Sequence, residues 1–326
     1  MKNDESCYWL DQFLGYFQAI RERSPNTIRE YRYDLILFLR FQLIRKEIAD
    51  QNTPWHEIKI SQADEKFFKS IKLTDLYAFV TWLSQEKKNG PSARARRISA
   101  IRTFFNYLKN KARIIEENPA AELESPKLLK KLPRHLSLEE SRQLLEQVAA
   151  GNTKWSSRDY CILTLFLNCG LRLSELCSID LNNIREDTLT VMGKGGKERT
   201  IYLNSACLAA LQEWRNDRPL IEGPHSEALF VSRLRKRISP KTVQWLIKNY
   251  LRSSGLDPRR YSVHKLRHTA ATLMYKYGHV DIRALQVILG HVSISTTEIY
   301  THIDQDALHE AVEQNPLNQV RRENQD

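Results

Sequence analysis

The sequence predicts a mainly α protein of two domains, with a small β-hairpin in the second. Three observations carry this. The chain has 326 residues, more than one compact core usually holds. Apolar residues recur at helical spacing along most of it. The only clear β signal is TLTVMG and ERTIYL flanking KGGK, a hairpin over roughly 188–203. Strands and helices do not alternate, which argues against a nucleotide-binding α/β sheet.

The first 110 residues or so read as a four-helix unit. CYWLDQFLGYFQAI is the first helix. Ser24-Pro25 stops it and starts a second through TIREYRYDLILFLRFQLIRK. LTDLYAFVTWLSQEKK is the third, with Thr74 as its expected N-cap. Asn89-Gly90-Pro91 is a turn, and SARARRISAIRTFFNYLKNK is the fourth. On that helix Ile98, Ile101, Phe105 and Leu108 form one stripe, and Arg96, Ser99, Thr103 and Asn106 point away. The segment 47–70 is polar and reads as a long loop or a short extra helix. Residues 113–135 read as a linker, punctuated by prolines. Ser137 with Glu140 forms a capping box that opens the second domain, 136–326. RDYCILTLFLNC is apolar nearly all round, a buried helix that Gly170 ends.

Composition narrows the function. No apolar run is long enough to span a bilayer, and the first residues lack the core of a signal peptide, so a cytoplasmic protein is expected. The five cysteines show no CxxC spacing and read as buried thiols in a reducing compartment. Net charge is +11, which suits a polyanion. The charge is concentrated: no acidic residue lies between Glu86 and Glu116, where Arg94, Arg96, Arg97 and Arg102 fall, or between Glu227 and Asp257, where Arg235 and Lys241 fall. Two one-sign stretches, one in each half, predict a clamp around phosphates, such as those of a nucleic acid.

Four stretches carry residues with chemistry. In GLRLSEL, Arg172 and Glu175 lie three apart and share a helix face, either as a cap ion pair or as a guanidinium held ready for an anion. In HKLRHTAATLMYKYG, His264, Arg267, His268 and Ala271 fall on one side, and Leu266, Ala270, Leu273 and Tyr277 on the side expected to face the core. A His and an Arg one turn apart can reach one phosphate. The HxxxH spacing also suits a metal, but Lys265 stands where a zinc protease has Glu, and no carboxylate cluster offers a two-metal site. In GKGGKER, flanking glycines give Lys194 freedom to approach a ligand, with Lys197 as a competitor; the spacing is not that of a P-loop. In LGHVSISTTEIYTH, His291 follows a helix-ending Leu289-Gly290, and Tyr300 comes nine residues later. Together these residues supply donors, nucleophile, base and acid for one transition state at phosphorus, without metal.

Taken in order, GLRLSEL, GKGGKERTIYL, HKLRHTAATL and LGHVSISTTEIYTH resemble the boxes of the tyrosine recombinases, most closely the Xer branch. SARARRISAIRTFFNYL and ENPAAELESPKLLKKLPRHLS are similar to the end of the Xer core-binding domain and its linker, so the resemblance covers most of the chain. The segment 47–70 is longer than the usual Xer loop, and the tail QNPLNQVRRENQD departs from the usual ending.

The resemblance implies a SAM-like core-binding domain over 1–112 and a catalytic domain over 136–326. It implies that Tyr300 attacks the scissile phosphate and forms a 3′-phosphotyrosyl link. Arg172, Arg267 and His291 would hold its oxygens, His264 accept the tyrosine proton and Lys194 protonate the leaving 5′-hydroxyl, with Glu175 orienting the arginine and histidine side chains. It implies no cofactor: neither ATP nor metal. Its implied partners are a specific DNA site, a XerD-like recombinase in a heterotetramer, and possible control by a DNA translocase. The implied role is resolving chromosome dimers before cell division. A helix over IDQDALHEAVEQ would dock on a neighbouring protomer. The alternatives are a phage- or transposon-type integrase of the same family and a catalytically silent DNA-binding protein on the same scaffold.

Overall fold

The computed structural model describes residues 6–127, 134–193, 196, 198–278, 280–290 and 297. They fall into two compact units, one within Met1–Lys130 and one within Lys131–Asp326.

The first unit holds the four expected helices, α1 (Tyr8–Ala19), α2 (Pro25–Arg45), α4 (Leu73–Gln85) and α5 (Pro91–Asn110), together with a short α3 (Glu65–Ser70). The Ser24 hydroxyl accepts from the Thr27 amide and caps α2, with Pro25 behind it. The core is aromatic: Phe13, Phe38, Phe68, Phe79, Phe104 and Phe105 are fully buried. The Ile98, Ile101, Phe105 and Leu108 stripe faces it as expected.

Two local expectations need correction. Thr74 does not cap α4. The helix starts at Leu73, and the Asp75 carboxylate reaches back to the Lys72 amide at 3.0 Å. A carboxylate two residues into the helix accepts that free amide and is itself fixed by Arg45 and Lys46, so Thr74 is left inside the first turn. The 47–70 segment is polar on average yet sends Ile58, Ile60, Ala63, Phe67 and Phe68 into the core through a 3-10 turn (Ile60–Gln62) and α3. Beyond α5 the chain stays on this unit, with Ile114, Ile115, Ala120 and Leu123 buried in the same core.

The second unit is built around α7 (Ser156–Cys169), which packs against α6 (Leu138–Ala149), α9 (Ser205–Asp217) and α11 (Val263–Gly278). Such a helix must be apolar all round, and Cys161, Ile162, Leu163, Leu165 and Phe166 are all buried. The Ser137–Glu140 capping box forms as expected and opens α6. The hairpin is β2 (Thr188–Met192) with β3 (Glu198–Tyr202), antiparallel, with Val191 opposite Arg199. A two-residue β1 (Ile184–Arg185) adds a third strand that the sequence did not announce. The unit is completed by α8 (Leu173–Ser178), α10 (Pro240–Ser253) and α12 (Ile282–Leu289). All five cysteines are free and buried.

On α11 the expected faces need revising. Leu266 and Ala270 are buried, but Tyr277 is exposed and Leu273 only half-buried, while Ala271 is fully buried. The cause is α12, which lies on α11 and covers Ala271 with Leu285 and Leu289. The expected helix over 303–314 lies outside the described residues.

Candidate active site

The site begins where α7 ends. Gly170 takes a left-handed conformation (φ +61°) that stops the helix. A Cβ there would lie 2.8 Å from Leu289, so only glycine lets α12 come this close. Two residues on, Arg172 leaves the core and starts α8, which carries Glu175.

Glu175 is the centre. It is 2% exposed, and its carboxylate gathers guanidiniums from the N-cap of its own helix, from β3 and from α11. Oε1 accepts from Arg172 Nη1 at 2.6 Å and from Arg199 Nη1 at 2.5 Å. Oε2 accepts from the Arg172 amide at 2.8 Å and from Arg199 Nη2 at 2.9 Å. Arg267 Nη1 stands 4.0 Å from the same oxygen. Burial alone would push the Glu175 carboxyl up; hydrogen bonds from Arg199 and Arg172 outweigh it and hold the group below its ordinary value. One carboxylate against three guanidiniums leaves two positive charges in a place with little water. That is a site for an anion.

The same arginines grip the end of α12. Arg199 Nε donates to the Ile288 carbonyl at 3.3 Å, Arg267 Nη2 to Leu289, and Arg172 Nη2 to Gly290 at 2.8 Å. Three consecutive carbonyls that a helix end leaves without partners are thereby satisfied, and the cations suit the negative end of the helix. Gly290 is left-handed (φ +62°), and a Cβ on it would meet the Arg199 side chain at 2.9 Å.

Histidines lie beside this centre on α11. His264 and His268 meet edge to face at 4.6 Å. Burial, then the charges of Arg267 and Arg172, hold His264 below its ordinary value, so it is neutral at pH 7 and able to accept a proton. Burial, then His264 and Arg267, push His268 down to about 4.

Of the residues the sequence singled out, Arg172, Glu175, Arg267 and His264 lie in or beside this one cluster. Lys194, His291 and Tyr300 lie outside the described residues. Arg199 was missed. Its signal was present in strand alternation: Arg199, Ile201 and Leu203 share the inward face of β3, while Glu198, Thr200 and Tyr202 point out.

The basic stretches differ in character. On α5, Arg94 donates to Ser84 and to the Asn89 carbonyl, Arg96 pairs with Asp34 at 2.5 Å and Glu30 at 3.0 Å, and Arg102 donates to the Leu123 carbonyl. Arg97 is buried against Asp34 and Asn89 rather than on an open face. Burial pushes Asp34 up to about 6 against the pull of Arg96 and Arg97. In the second unit Arg235 and Lys241 are exposed, Arg235 in a tight turn closed by the Val231–Arg237 bridge. Among the described residues no helix is long and apolar enough to cross a membrane.

A helical scaffold with a buried, cation-rich centre and neutral histidines beside it is a site suited to an anion such as a phosphate group. Comparison with known proteins gives the family. Residues 134–306 match the phage integrase family, and 10–56 and 57–112 match its N-terminal SAM-like domain. The chain is 52% identical over 95% of its length to the tyrosine recombinase XerC of Caldanaerobacter subterraneus subsp. tengcongensis, covering 87% of that protein. It is 33% identical to the tyrosine recombinase XerD of Proteus mirabilis, over 92% of this chain and 90% of that one. In fold it resembles the XerH site-specific recombinase bound to its difH substrate before cleavage, with a TM-score of 0.66 and 22% identity over 96% of this chain and 97% of the other. The chain belongs to the phage integrase family of tyrosine recombinases and is a DNA-binding enzyme of site-specific recombination. Within the Xer branch it is XerC-like.

Proposed function

We propose that this enzyme resolves chromosome dimers before cell division, in the cytoplasm, as one half of a heterotetramer with a XerD-like partner on a specific DNA site. In this reading the basic helix 92–109 and the stretch 233–252 each contact the duplex. Residues 113–135 join the two domains, with 114–123 packed on the first unit. Arg94, Arg96 and Arg102 from the first unit and Arg235 and Lys241 from the second meet phosphates, while Arg97 holds Asp34 in place.

The chemistry follows from the cluster. Arg172 and Arg267 take nonbridging oxygens of the scissile phosphate, with His291 as a further donor. The Tyr300 oxygen forms the bond to phosphorus and gives its proton to His264; the bond from phosphorus to the 5′ oxygen breaks, and Lys194 protonates that oxygen. The ester keeps the phosphodiester energy, and the partner strand's 5′-hydroxyl reverses the step without ATP or metal. The observation that carries this reading is the convergence of Arg172 and Arg267 on one buried carboxylate, with His264 neutral beside them.

The test is a covalent trap. The protein is mixed with a nicked suicide duplex carrying its candidate site, in EDTA, beside Tyr300→Phe. A denaturation-resistant adduct that the mutant lacks is expected. Tight site-specific binding without an adduct, even after a XerD-like partner is added, would mean a silent DNA-binding protein.

A further inference from the structure

The geometry points to Arg199 as a positioning residue for strand cleavage: its fork on Glu175 keeps Arg172 bound to that carboxylate through one side-chain nitrogen, so that the other stays available to the phosphate. This rests on the reading of Arg172 as a phosphate ligand.

A carboxylate offers about four lone-pair sites, and those of Glu175 are all filled. Arg199 takes two of them with Nη1 and Nη2, one on each oxygen. The Arg172 amide takes a third, and Arg172 Nη1 the fourth. Arg172 therefore cannot form the two-pronged pair that an arginine and a carboxylate prefer when nothing competes. Its Nη2 points elsewhere and finds the Gly290 carbonyl at 2.8 Å. That nitrogen is the donor an incoming phosphate oxygen would recruit.

Arg199 is not itself placed to bind the substrate. Its side chain is 12% exposed, and Nε, Nη1 and Nη2 all donate within the fold, to Ile288 and Glu175. Remove it, and Glu175 can turn and take Arg172 with both nitrogens. Lysine at 199 would restore the charge but not the fork, because an ammonium is a point donor. Arg199 also joins β3 to Glu175 of α8 and to the end of α12, so one side chain ties three elements together.

The experiment compares Arg199→Ala and Arg199→Lys with wild type in the full chain. Single-turnover adduct formation on the nicked duplex is measured at saturating protein, with DNA affinity and thermal unfolding alongside. The expected result is a cleavage rate about 10- to 100-fold lower in both variants, with affinity within about threefold of wild type and a cooperative unfolding transition above the assay temperature. Ethylguanidinium at tens of millimolar should recover much of the lost rate in Arg199→Ala and leave wild type unchanged. A wild-type rate in Arg199→Ala would overturn the inference. So would a loss explained by affinity or by unfolded protein, or a full rate in Arg199→Lys. Arg172→Ala separates the two levels: if it too cleaves at the wild-type rate, the reading of Arg172 has failed; if it is inactive while Arg199→Ala is not, only the role given to Arg199 falls.

Discussion

Glu175 holds its negative charge where there is almost no water, because four N–H donors converge on it. Glu175→Ala would strand buried guanidiniums, and a loss of about 3–5 kcal/mol in urea unfolding is expected. Glu175→Gln keeps the shape but turns one acceptor into a donor facing an arginine, so it should also destabilise. His268 gives a pH dependence whose sign is fixed. Its folded value is about 4 against an ordinary 6.5, so the unfolded chain binds the proton more readily between those values. Stability from this group is complete above pH 6.5 and is lost as pH falls towards 4. Thermal unfolding of His268→Asn across that range should show a shallower decline than wild type. Asp34, raised to about 6, acts in the opposite sense, adding stability as pH falls from above 6 towards 3.8.

At the scale of elements, the junction of α7 and α12 is the tightest joint near the site. Gly170→Ala would place an L side chain at positive φ and a methyl group 2.8 Å from Leu289. A cost of about 1–3 kcal/mol is expected in urea unfolding, with cleavage impaired because Gly170 also offers the carbonyl that Arg267 holds at 2.6 Å. Ser137→Ala, far simpler, should cost about 1 kcal/mol through the lost cap of α6 and leave cleavage unchanged. The helices were legible because their signals are local: Ser24-Pro25, Ser137 with Glu140, and Gly170 each act within one turn. Thr74 misled because a threonine beside an aspartate offers two caps, and sequence alone does not say which side chain wins. The buried side of α11 was misjudged because Ala271 is small enough to lie under α12, a contact no periodicity contains.

Across the whole molecule, the positive stretches proved unlike one another. Arg94, Arg96, Arg97 and Arg102 of α5 have partners within the fold, Arg96 still part-exposed, while Arg235 and Lys241 are exposed. DNA affinity should fall steeply with salt, and Arg235→Ala or Lys241→Ala should each reduce the slope of log affinity against log salt by about 0.9 while leaving stability within about 0.5 kcal/mol. Fluorescence anisotropy at several salt concentrations measures the first and urea unfolding the second. Arg172, Glu175, Arg267 and His264 could be named from sequence because spacing and resemblance select them. Alternation along β3 marks Arg199 as facing inward, but its role was not legible, because that depends on a carboxylate 24 residues away in the chain. The hold of three arginines on Ile288, Leu289 and Gly290 has a consequence for geometry at long range. Gly290 is a fixed mooring, and Tyr300 follows it by ten residues. A strand of that length, fully drawn out, spans at most about 33–36 Å. Whichever phosphate the tyrosine attacks, in its own subunit's site or a neighbour's, must lie within that radius extended by the length of the tyrosine side chain, as long as the mooring holds.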